Sequence, residues 1–354
     1  MLGSGFAGLV AARERVLQGH TVRVLDTASR AGGRALSAQI AATSIDVGIL
    51  YLDPYDSELV DLIDRSGQSP QGVPAEPLRW WLATPQGTLP LPEMHVVGVP
   101  AAPLAAETVA IVGRRAAWRG MLDAVLPGPR GANATTLGEL VRARLGAGIA
   151  DSLVAPVVHA LTGRTLDELS ATDIAGLRHL MLQQNSLTRA VTQLRLERAE
   201  HHGMEALEPA PSSLITAMLA ELDRYGVSIE LGHDRESLDL ARADADTVID
   251  TRDSATGSVV TVLLDGSHVP PGRRGAGVLA GPASRARVRR VLDLSALWPT
   301  LYGRDTTQTI LRVESNGEVS IDEAIDTVVG WWNCASLPAA VQGAYLMRDA
   351  VVKP

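Results

Sequence analysis

The amino-acid sequence predicts an α/β protein with an α+β module inserted into its first domain. Three observations predict this class. A glycine-rich turn opens the chain and is followed by a helical segment and the short β-branched strand "HTVRVLD". Helical periodicity then dominates a long stretch that begins near residue 136, where Thr136 and Glu139 have the spacing of a capping box. A helix, a glycine and a strand recur in "SSLITAMLAELDRYGVSIEL".

The composition excludes several classes of protein. The chain has 354 residues, 46% of them hydrophobic and 20% charged, as in a globular protein, and its net charge of −8 argues against a nucleic-acid partner. Cys334 is the single cysteine, so an internal disulfide and thiolate zinc sites are excluded, and we predict no metal. No signal peptide or membrane-spanning run is present, and we predict a cytoplasmic location.

The first motif is the glycine turn. Gly3, Gly5 and Gly8 follow the pattern G-x-G-x-x-G immediately before the first helix. A helix that begins here directs its first amides at a pyrophosphate, and glycine lets the backbone approach it. We therefore predict that Gly3, Gly5, Phe6, Ala7 and Gly8 bind a dinucleotide. Only Met1 and Leu2 precede the turn, so the strand that should lead into it is very short.

Asp26 ends the second strand, 18 residues after Gly8. A carboxylate at this place can accept hydrogen bonds from both hydroxyls of an adenosine ribose. The alternative is an ordinary solvated aspartate at the end of a strand. Because the glycine turn precedes it, we predict the ribose role for Asp26.

Two further segments carry a family resemblance. "RAGGRALS" resembles the second glycine motif of the flavin-dependent amine oxidase superfamily, and "IDVGILYL" resembles the strand that follows it. The tail "VVGWWNCASLPAAVQGAYLMRDAVV" is similar to the closing flavin motif, with a glycine-bearing strand and a helix start at 336–343. Trp331 stands where that motif has an acidic residue. The resemblance implies FAD as cofactor, with further contacts from Arg30, Gly32, Gly33, Arg34, Gly48, Val227, Gly330, Ser336, Leu337 and Ala340.

Several segments, among them "GTLPLP", "SVVTVLLD" and "RRGAGVLAG", occur in an order that resembles the branch of protoporphyrinogen and coproporphyrinogen oxidases. This resemblance implies an FAD-binding domain of the Rossmann type assembled from 1–70, 204–253 and 325–354. It also implies a β-rich substrate domain from 71–100 and 254–324, and a helical subdomain at 101–203 that in relatives contacts membrane. The implied reaction is hydride abstraction from a porphyrinogen-like small molecule, with molecular oxygen reoxidising the flavin.

Candidate substrate contacts come from the scarce aromatic residues and from arginines. Trp80, Trp81 and Trp118 offer rings on which a flat tetrapyrrole can stack, and Arg115 offers a fork for carboxylates. Packing in the core is the alternative for the tryptophans, and a solvated helix face is the alternative for Arg115.

Two other functions stay open. The first keeps FAD but oxidises an amine or desaturates an isoprenoid. Amine-oxidising relatives commonly keep a lysine against the flavin, whereas Lys353 is the only lysine of this chain. The second is a flavin-free descendant that binds a ligand or partner without catalysis. The sequence does not indicate an oligomeric state.

Overall fold

The computed structural model describes residues 1–48, 51–52, 57–198, 204–243, 245–251, 257–269, 275–282, 287–302 and 307–350. The α/β fold predicted from the sequence is confirmed. The chain forms two compact units. The first comprises Met1–Ala75, Gly203–Thr256 and Met347–Val351, and the second comprises Glu76–His202, Gly257–Leu346 and Val352–Pro354.

Helices and strands are numbered in chain order. The helices are α1 (Phe6–Leu17), α2 (Ser57–Arg65), α3 (Ala106–Val112), α4 (Arg114–Met121), α5 (Leu137–Leu145), α6 (Ala147–Ile149), α7 (Ala155–Thr162), α8 (Leu177–Gln184), α9 (Leu187–Arg198), α10 (Pro211–Arg224), α11 (Arg235–Ala243), α12 (Leu294–Leu297), α13 (Pro299–Tyr302) and α14 (Ile321–Trp332). The strands are β1 (Arg23–Leu25), β2 (Ser37–Ile40), β3 (Thr43–Asp46), β4 (Tyr51–Leu52), β5 (Gln71–Pro74), β6 (Trp80–Thr84), β7 (Gly87–Pro90), β8 (His95–Val96), β9 (Val99–Pro100), β10 (Glu205–Glu208), β11 (Ser228–Glu230), β12 (Gly257–Asp265), β13 (Gly277–Ala280), β14 (Val288–Asp293), β15 (Gln308–Ser315) and β16 (Val341–Ala350).

The first unit contains a small parallel sheet in which the short N-terminal segment takes part. β1 pairs in parallel with β11, and Leu2 forms parallel bridges with Leu25 and with Asp250. The amide of Leu25 donates to the carbonyl of Met1 at 3.0 Å, and that of Thr251 donates to Leu2 at 2.9 Å. Residues 1–3 therefore occupy the position between β1 and 249–251, although they are too few to form a regular strand.

Helices α1 and α10 provide most of the apolar core of this unit. Leu9 and Val10 of α1 are fully buried in one cluster with Met218 and Leu222 of α10. The residues of this cluster recur at intervals of three or four in both helices, as at Phe6 and Leu9 and at Met218 and Leu222, and so lie on one face of each helix. Helix α1 ends before Gly19, whose φ of +88° is a conformation that favours glycine. Around this core lie the β2–β3 hairpin and the antiparallel sheet β4-β10-β5.

The second unit contains a mixed sheet with the strand order β16-β12-β15-β14-β13-β6-β7. Leu279 of β13 packs in one cluster with Val157 of α7, whereas its neighbour Val278 packs in another cluster with Val328 of α14. Successive side chains of a strand point to opposite faces. Helices α7 and α14 therefore cover opposite faces of this sheet, whose β12 is almost entirely buried.

Helices α5 to α9 form a separate apolar cluster in the second unit. Helix α5 begins with the predicted capping box, because the amide of Glu139 donates to the Thr136 hydroxyl while the Glu139 carboxylate accepts from the Thr136 amide. A fully buried ion pair, Asp123–Arg144, lies beside this cluster, with Asp123 Oδ1 2.6 Å from Arg144 Nε.

The closing segment differs from its prediction. Gly330 lies in helix α14 rather than in a strand, and 336–343 do not begin an α-helix. Leu337–Ala340 form a short 3-10 turn that leads into the strand β16. Helix α14 forms because Ser320 and Glu323 make a capping box, and its apolar residues, spaced every three or four positions, pack on the sheet.

The compact units divide the chain differently from the predicted domains in one segment. The ranges 1–70 and 204–253 lie in the first unit, whereas 325–354 is divided, with 347–351 in the first unit and the rest in the second. Residues 325–346 lie in the second unit because α14 and most of β16 pack with the large sheet. The predicted substrate and helical segments, 71–100, 254–324 and 101–203, fall almost entirely in the second unit. Within the described ranges, no helix is long and apolar enough to cross a membrane.

Candidate nucleotide-binding site

The glycine turn connects the N-terminal segment to helix α1. Gly3 has a φ of +104°, and a Cβ atom at Gly8 would lie 1.9 Å from the carbonyl oxygen of Gly3. Both positions therefore require glycine. Gly5 precedes α1 without a side-chain cap, and the first turn has no acidic residue. The first amides of a helix have no partners within it, so the start of α1, at Phe6 and Ala7, favours an anion.

The second glycine motif lies against the first. Gly32 bridges in parallel to Gly5, and its amide donates to the carbonyl of Ser4 at 2.8 Å. A Cβ atom at Gly33 would lie 3.0 Å from Cα of Gly5, so the two backbones approach closely only without it. The Arg30 guanidinium donates to the Gly33 carbonyl at 2.6 Å and closes the turn on itself.

Arg34, Gly48 and Val227 also lie in the first unit. A Cβ atom at Gly48 would lie 1.5 Å from the carbonyl oxygen of Arg34, so these two backbone segments are in direct contact. Val227 is buried in the cluster that contains α1 and α10. These positions shape the surroundings of the two glycine motifs, and their contacts with a cofactor stay a prediction.

The Asp26 carboxylate accepts three hydrogen bonds from Ser4 and Ala28, and the Thr27 amide beside it also favours its charged form. Oδ2 accepts from the Ser4 amide at 2.5 Å and from the Ser4 hydroxyl at 2.7 Å, and Oδ1 accepts from the Ala28 amide at 3.0 Å. Burial raises the pKa of Asp26, but these hydrogen bonds outweigh it and lower that pKa below its ordinary value. Asp26 is therefore ionised at neutral pH and half-buried.

The backbone around Asp26 is fixed by the neighbouring segment. Its amide donates to the carbonyl of Glu230, and the amide of His233 donates to the carbonyl of Asp26, both at 3.0 Å. The Glu230 carboxylate in turn accepts two hydrogen bonds from Arg23, which lower its pKa. The end of β1 therefore holds its carboxylate beside the glycine turn on a rigid support.

Ser4 is the residue that the sequence analysis missed. It is fully buried between the two glycines of the turn, and both its amide and its hydroxyl donate hydrogen bonds to the Asp26 carboxylate. The sequence signal for this contact was a residue with a hydroxyl group between Gly3 and Gly5, together with Asp26 at the end of the second strand.

The other predicted cofactor residues, Gly330, Ser336, Leu337 and Ala340, lie in the second unit. Leu337 and Ala340 are buried in the apolar cluster of the large sheet, where they pack as core residues. Ser336 Oγ lies 3.4 Å from Cys334 Sγ. The predicted strand and α-helix start are not formed here, and contacts of these residues with a flavin stay a prediction.

The predicted substrate residues occupy two elements of the second unit. Trp80 and Trp81 are successive residues of β6, and each packs against a different apolar cluster of the sheet. Trp118 and Arg115 lie on α4 and are exposed, Trp118 by 64%. Their contacts with a substrate stay a prediction. Among the described residues, no group of three His, Cys, Asp or Glu side chains is placed to hold a metal ion.

The residues of the first unit fit the adenosine diphosphate half of FAD. A helix start without an acidic neighbour suits a pyrophosphate, the close backbones at Gly5 and Gly33 leave no side chain in its way, and the ionised Asp26 suits a ribose.

Comparison with known proteins agrees with this geometry. Residues 2–66 match the family model described as an NAD(P)-binding Rossmann-like domain. Over 67 residues the chain is 39% identical to a candidate flavin-containing monoamine oxidase of Mycobacterium tuberculosis and 39% identical to a putrescine oxidase of Kocuria rosea. The aligned part is 19% of this chain and only 15% and 14% of those two relatives.

Solved structures share the fold over nearly the whole chain. A candidate protoporphyrinogen oxidase from Exiguobacterium sp. 255-15 has a TM-score of 0.76 at 16% identity, covering 99% of this chain and 85% of that one. A putrescine oxidase has a TM-score of 0.54 at 13% identity, covering 98% of this chain and 83% of the other. The chain therefore has a Rossmann-like domain and a large mixed sheet, and its relatives and structural neighbours include flavin-dependent oxidases.

Proposed function

We propose that this protein is an FAD-dependent oxidoreductase whose first unit binds the adenosine diphosphate half of the cofactor. The observation that carries the proposal is the contact between the two glycine motifs at the start of α1, with the ionised Asp26 beside them. When bound, FAD supplies a ring that accepts a hydride from the substrate. The chain's own part is to orient the cofactor, through the α1 amides at the pyrophosphate and Asp26 at the ribose.

For the substrate we propose a porphyrinogen-like molecule, with molecular oxygen as electron acceptor. One support is the resemblance of several sequence segments, in their order along the chain, to porphyrinogen oxidases. The other is the higher TM-score with the candidate protoporphyrinogen oxidase, 0.76 against 0.54 for the putrescine oxidase. Amine oxidation is the second candidate, because the sequence similarity of 67 residues is to a monoamine oxidase and a putrescine oxidase.

Retention of FAD tests the cofactor. The visible spectrum is recorded after incubation with excess FAD and gel filtration, for the wild type and for Gly8→Ala. We expect a flavin spectrum for the wild type and its loss in Gly8→Ala, because the added Cβ meets the Gly3 carbonyl. The control is Gly317→Ala, whose Cβ would meet nothing within 4 Å. A colourless wild type overturns the proposal and favours a flavin-free binding protein.

Anaerobic reduction separates the two substrate classes. The flavin-loaded protein is mixed with coproporphyrinogen or with putrescine, and bleaching of the flavin absorbance is followed. Bleaching by coproporphyrinogen alone supports the porphyrinogen class, and bleaching by the amine alone supports amine oxidation. Readmission of oxygen should restore the absorbance if oxygen is the acceptor.

We also propose that the second unit contacts an anionic membrane surface through α4 and the residues after it, in a cytoplasmic protein. Trp118, Met121, Leu122 and Val125 recur at helical spacing and are all exposed, Val125 by 77%. Residues 108–138 contain four arginines and a single acidic residue, Asp123, in a chain of net charge −8. Asp123 is buried in its ion pair, so exposed charge here is positive. Arginine beside tryptophan and leucine suits an anionic interface.

Vesicle co-sedimentation tests the membrane contact. We expect the wild type to sediment with vesicles containing phosphatidylserine but not with pure phosphatidylcholine. Trp118→Ser combined with Val125→Ser should abolish sedimentation, whereas Leu240→Ser, an exposed leucine of the first unit, should not. Equal sedimentation of the wild type and the double variant overturns this contact.

A further inference from the structure

Ser4 makes an unusual pair of contacts for a residue inside a glycine turn. Its amide and its hydroxyl both donate to the same oxygen, Asp26 Oδ2, at 2.5 Å and 2.7 Å. The side chain of Ser4 is fully buried, so water does not compete for this oxygen from the side of Ser4. The two contacts fix the rotation of the carboxylate.

These contacts limit what Asp26 can accept from a ligand. An ionised carboxylate has about four lone-pair positions, two on each oxygen. Ser4 uses both positions of Oδ2, and the Ala28 amide uses one position of Oδ1. The Thr27 amide also lies beside this carboxylate, so at most one position, on Oδ1, is left for a ribose.

We infer that Ser4 is a positioning residue that leaves Asp26 able to accept one ribose hydroxyl, and not both. This inference rests on the proposed function and deepens it. It differs from the expectation that Asp26 binds both hydroxyls, and it makes the two hydroxyls unequal in binding energy. A hydrogen bond to a charged group contributes about 1.5–3 kcal/mol, which corresponds to about 10- to 150-fold in affinity.

Binding of deoxynucleotides tests the inference. The dissociation constants of ADP, 2′-deoxy-ADP and 3′-deoxy-ADP are measured by calorimetry for the wild type and for Ser4→Ala. For the wild type we expect one deoxy analogue to bind at least about 10-fold more weakly than ADP, and the other within about threefold. In Ser4→Ala, Oδ2 gains a vacant position, so we expect the ratio between the two analogues to fall below about threefold.

Ser66→Ala is the matched control. Ser66 is also a fully buried serine of the first unit, and its hydroxyl donates to the Ile63 carbonyl at 2.6 Å. This variant should lose stability without changing the ratio between the analogues. The ratio separates positioning from a general loss of structure, because a structural defect weakens all three nucleotides alike.

Each outcome is decisive. If the wild type binds neither ADP nor FAD, the proposed function fails and the inference fails with it. If ADP binds but both analogues are weakened equally, or if Ser4→Ala keeps the wild-type ratio, the inference is overturned while the proposed function stands. If Ser4→Ala does not fold, the asymmetry in the wild type alone decides.

Discussion

Two aspartates of this protein are held in similar ways but in different surroundings. Asp26 accepts from the amide and hydroxyl of Ser4 and from the Ala28 amide, and it is half-buried. Asp123 accepts from the Ser186 hydroxyl and from the amide and hydroxyl of Thr188, and it is fully buried with Arg144 as its partner.

The two aspartates differ in whether an arginine neutralises the carboxylate and in how much of the side chain remains exposed. Burial raises the pKa of Asp123, but the hydrogen bonds and Arg144 lower it more, so the pair is ionised inside the protein. Its acceptor positions are used by the protein itself. In the described part of the chain, no arginine is hydrogen-bonded to Asp26, which keeps part of its surface exposed. A carboxylate saturated by its own chain serves stability, whereas one left partly unsaturated at an accessible place is suited to a ligand.

The largest expected effect is at the buried pair. Asp123→Ala leaves the Arg144 guanidinium buried without its carboxylate, and we expect a loss of about 3–5 kcal/mol in the free energy of unfolding, measured by urea denaturation. Asp151→Ala is the control, because its ion pair with Arg142 is 3.0 Å long but 36% and 55% exposed, so it should change stability by less than about 1 kcal/mol. Equal losses in the two variants would contradict a structural role for Asp123.

Asp26→Asn should lower the stability less than Asp123→Ala does, and it should also weaken nucleotide binding. The amide has one acceptor oxygen, so one of the three donors loses its partner, and we expect a loss of about 1–2 kcal/mol in unfolding free energy. ADP affinity should fall by about tenfold or more, because the charge that the ribose meets is lost. The two values are measured by urea denaturation and by calorimetry. Unchanged ADP affinity would remove Asp26 from the site.

The features that the sequence predicted correctly depend on interactions between residues that are close in the sequence. The glycine turn, α1, the Thr136–Glu139 capping box and the α10–Gly226–β11 unit are built from neighbours in sequence, and all were found. The Asp123–Arg144 pair was not predicted, because its carboxylate is completed by Ser186 and Thr188, 63 and 65 residues away. No local pattern marks such a cluster.

The closing segment shows how a resemblance can conflict with a local signal. Ser320 and Glu323 have the spacing of a capping box, and the apolar residues that follow fit a helical period. Both signals predict α14, but the family resemblance led to a strand for Gly330. The partner that stabilises α14 is a sheet assembled from distant strands, and its order could not be read from the sequence.

Acid should reduce the difference between the wild type and Asp26→Asn. The folded protein lowers the pKa of Asp26, so the stability from this group is complete above its unfolded pKa and is lost as the pH falls through its folded pKa. We expect the difference in unfolding free energy to be constant from pH 7 to about pH 5 and to shrink below about pH 4. Ser66→Ala, which removes no titratable group, should differ from the wild type by the same amount at each pH.

The smallest expected effect concerns Gly330. It lies within α14, and a Cβ atom there would meet nothing within 4 Å. Alanine in a helix is more stable than glycine by about 0.5–1 kcal/mol, so Gly330→Ala should raise the melting temperature slightly and leave FAD retention unchanged. If Gly330 instead approached a cofactor from a strand, the same variant would weaken FAD binding without stabilising the protein. Gly8→Ala and Gly330→Ala therefore separate a glycine required by close backbone contact from one that its helix merely tolerates.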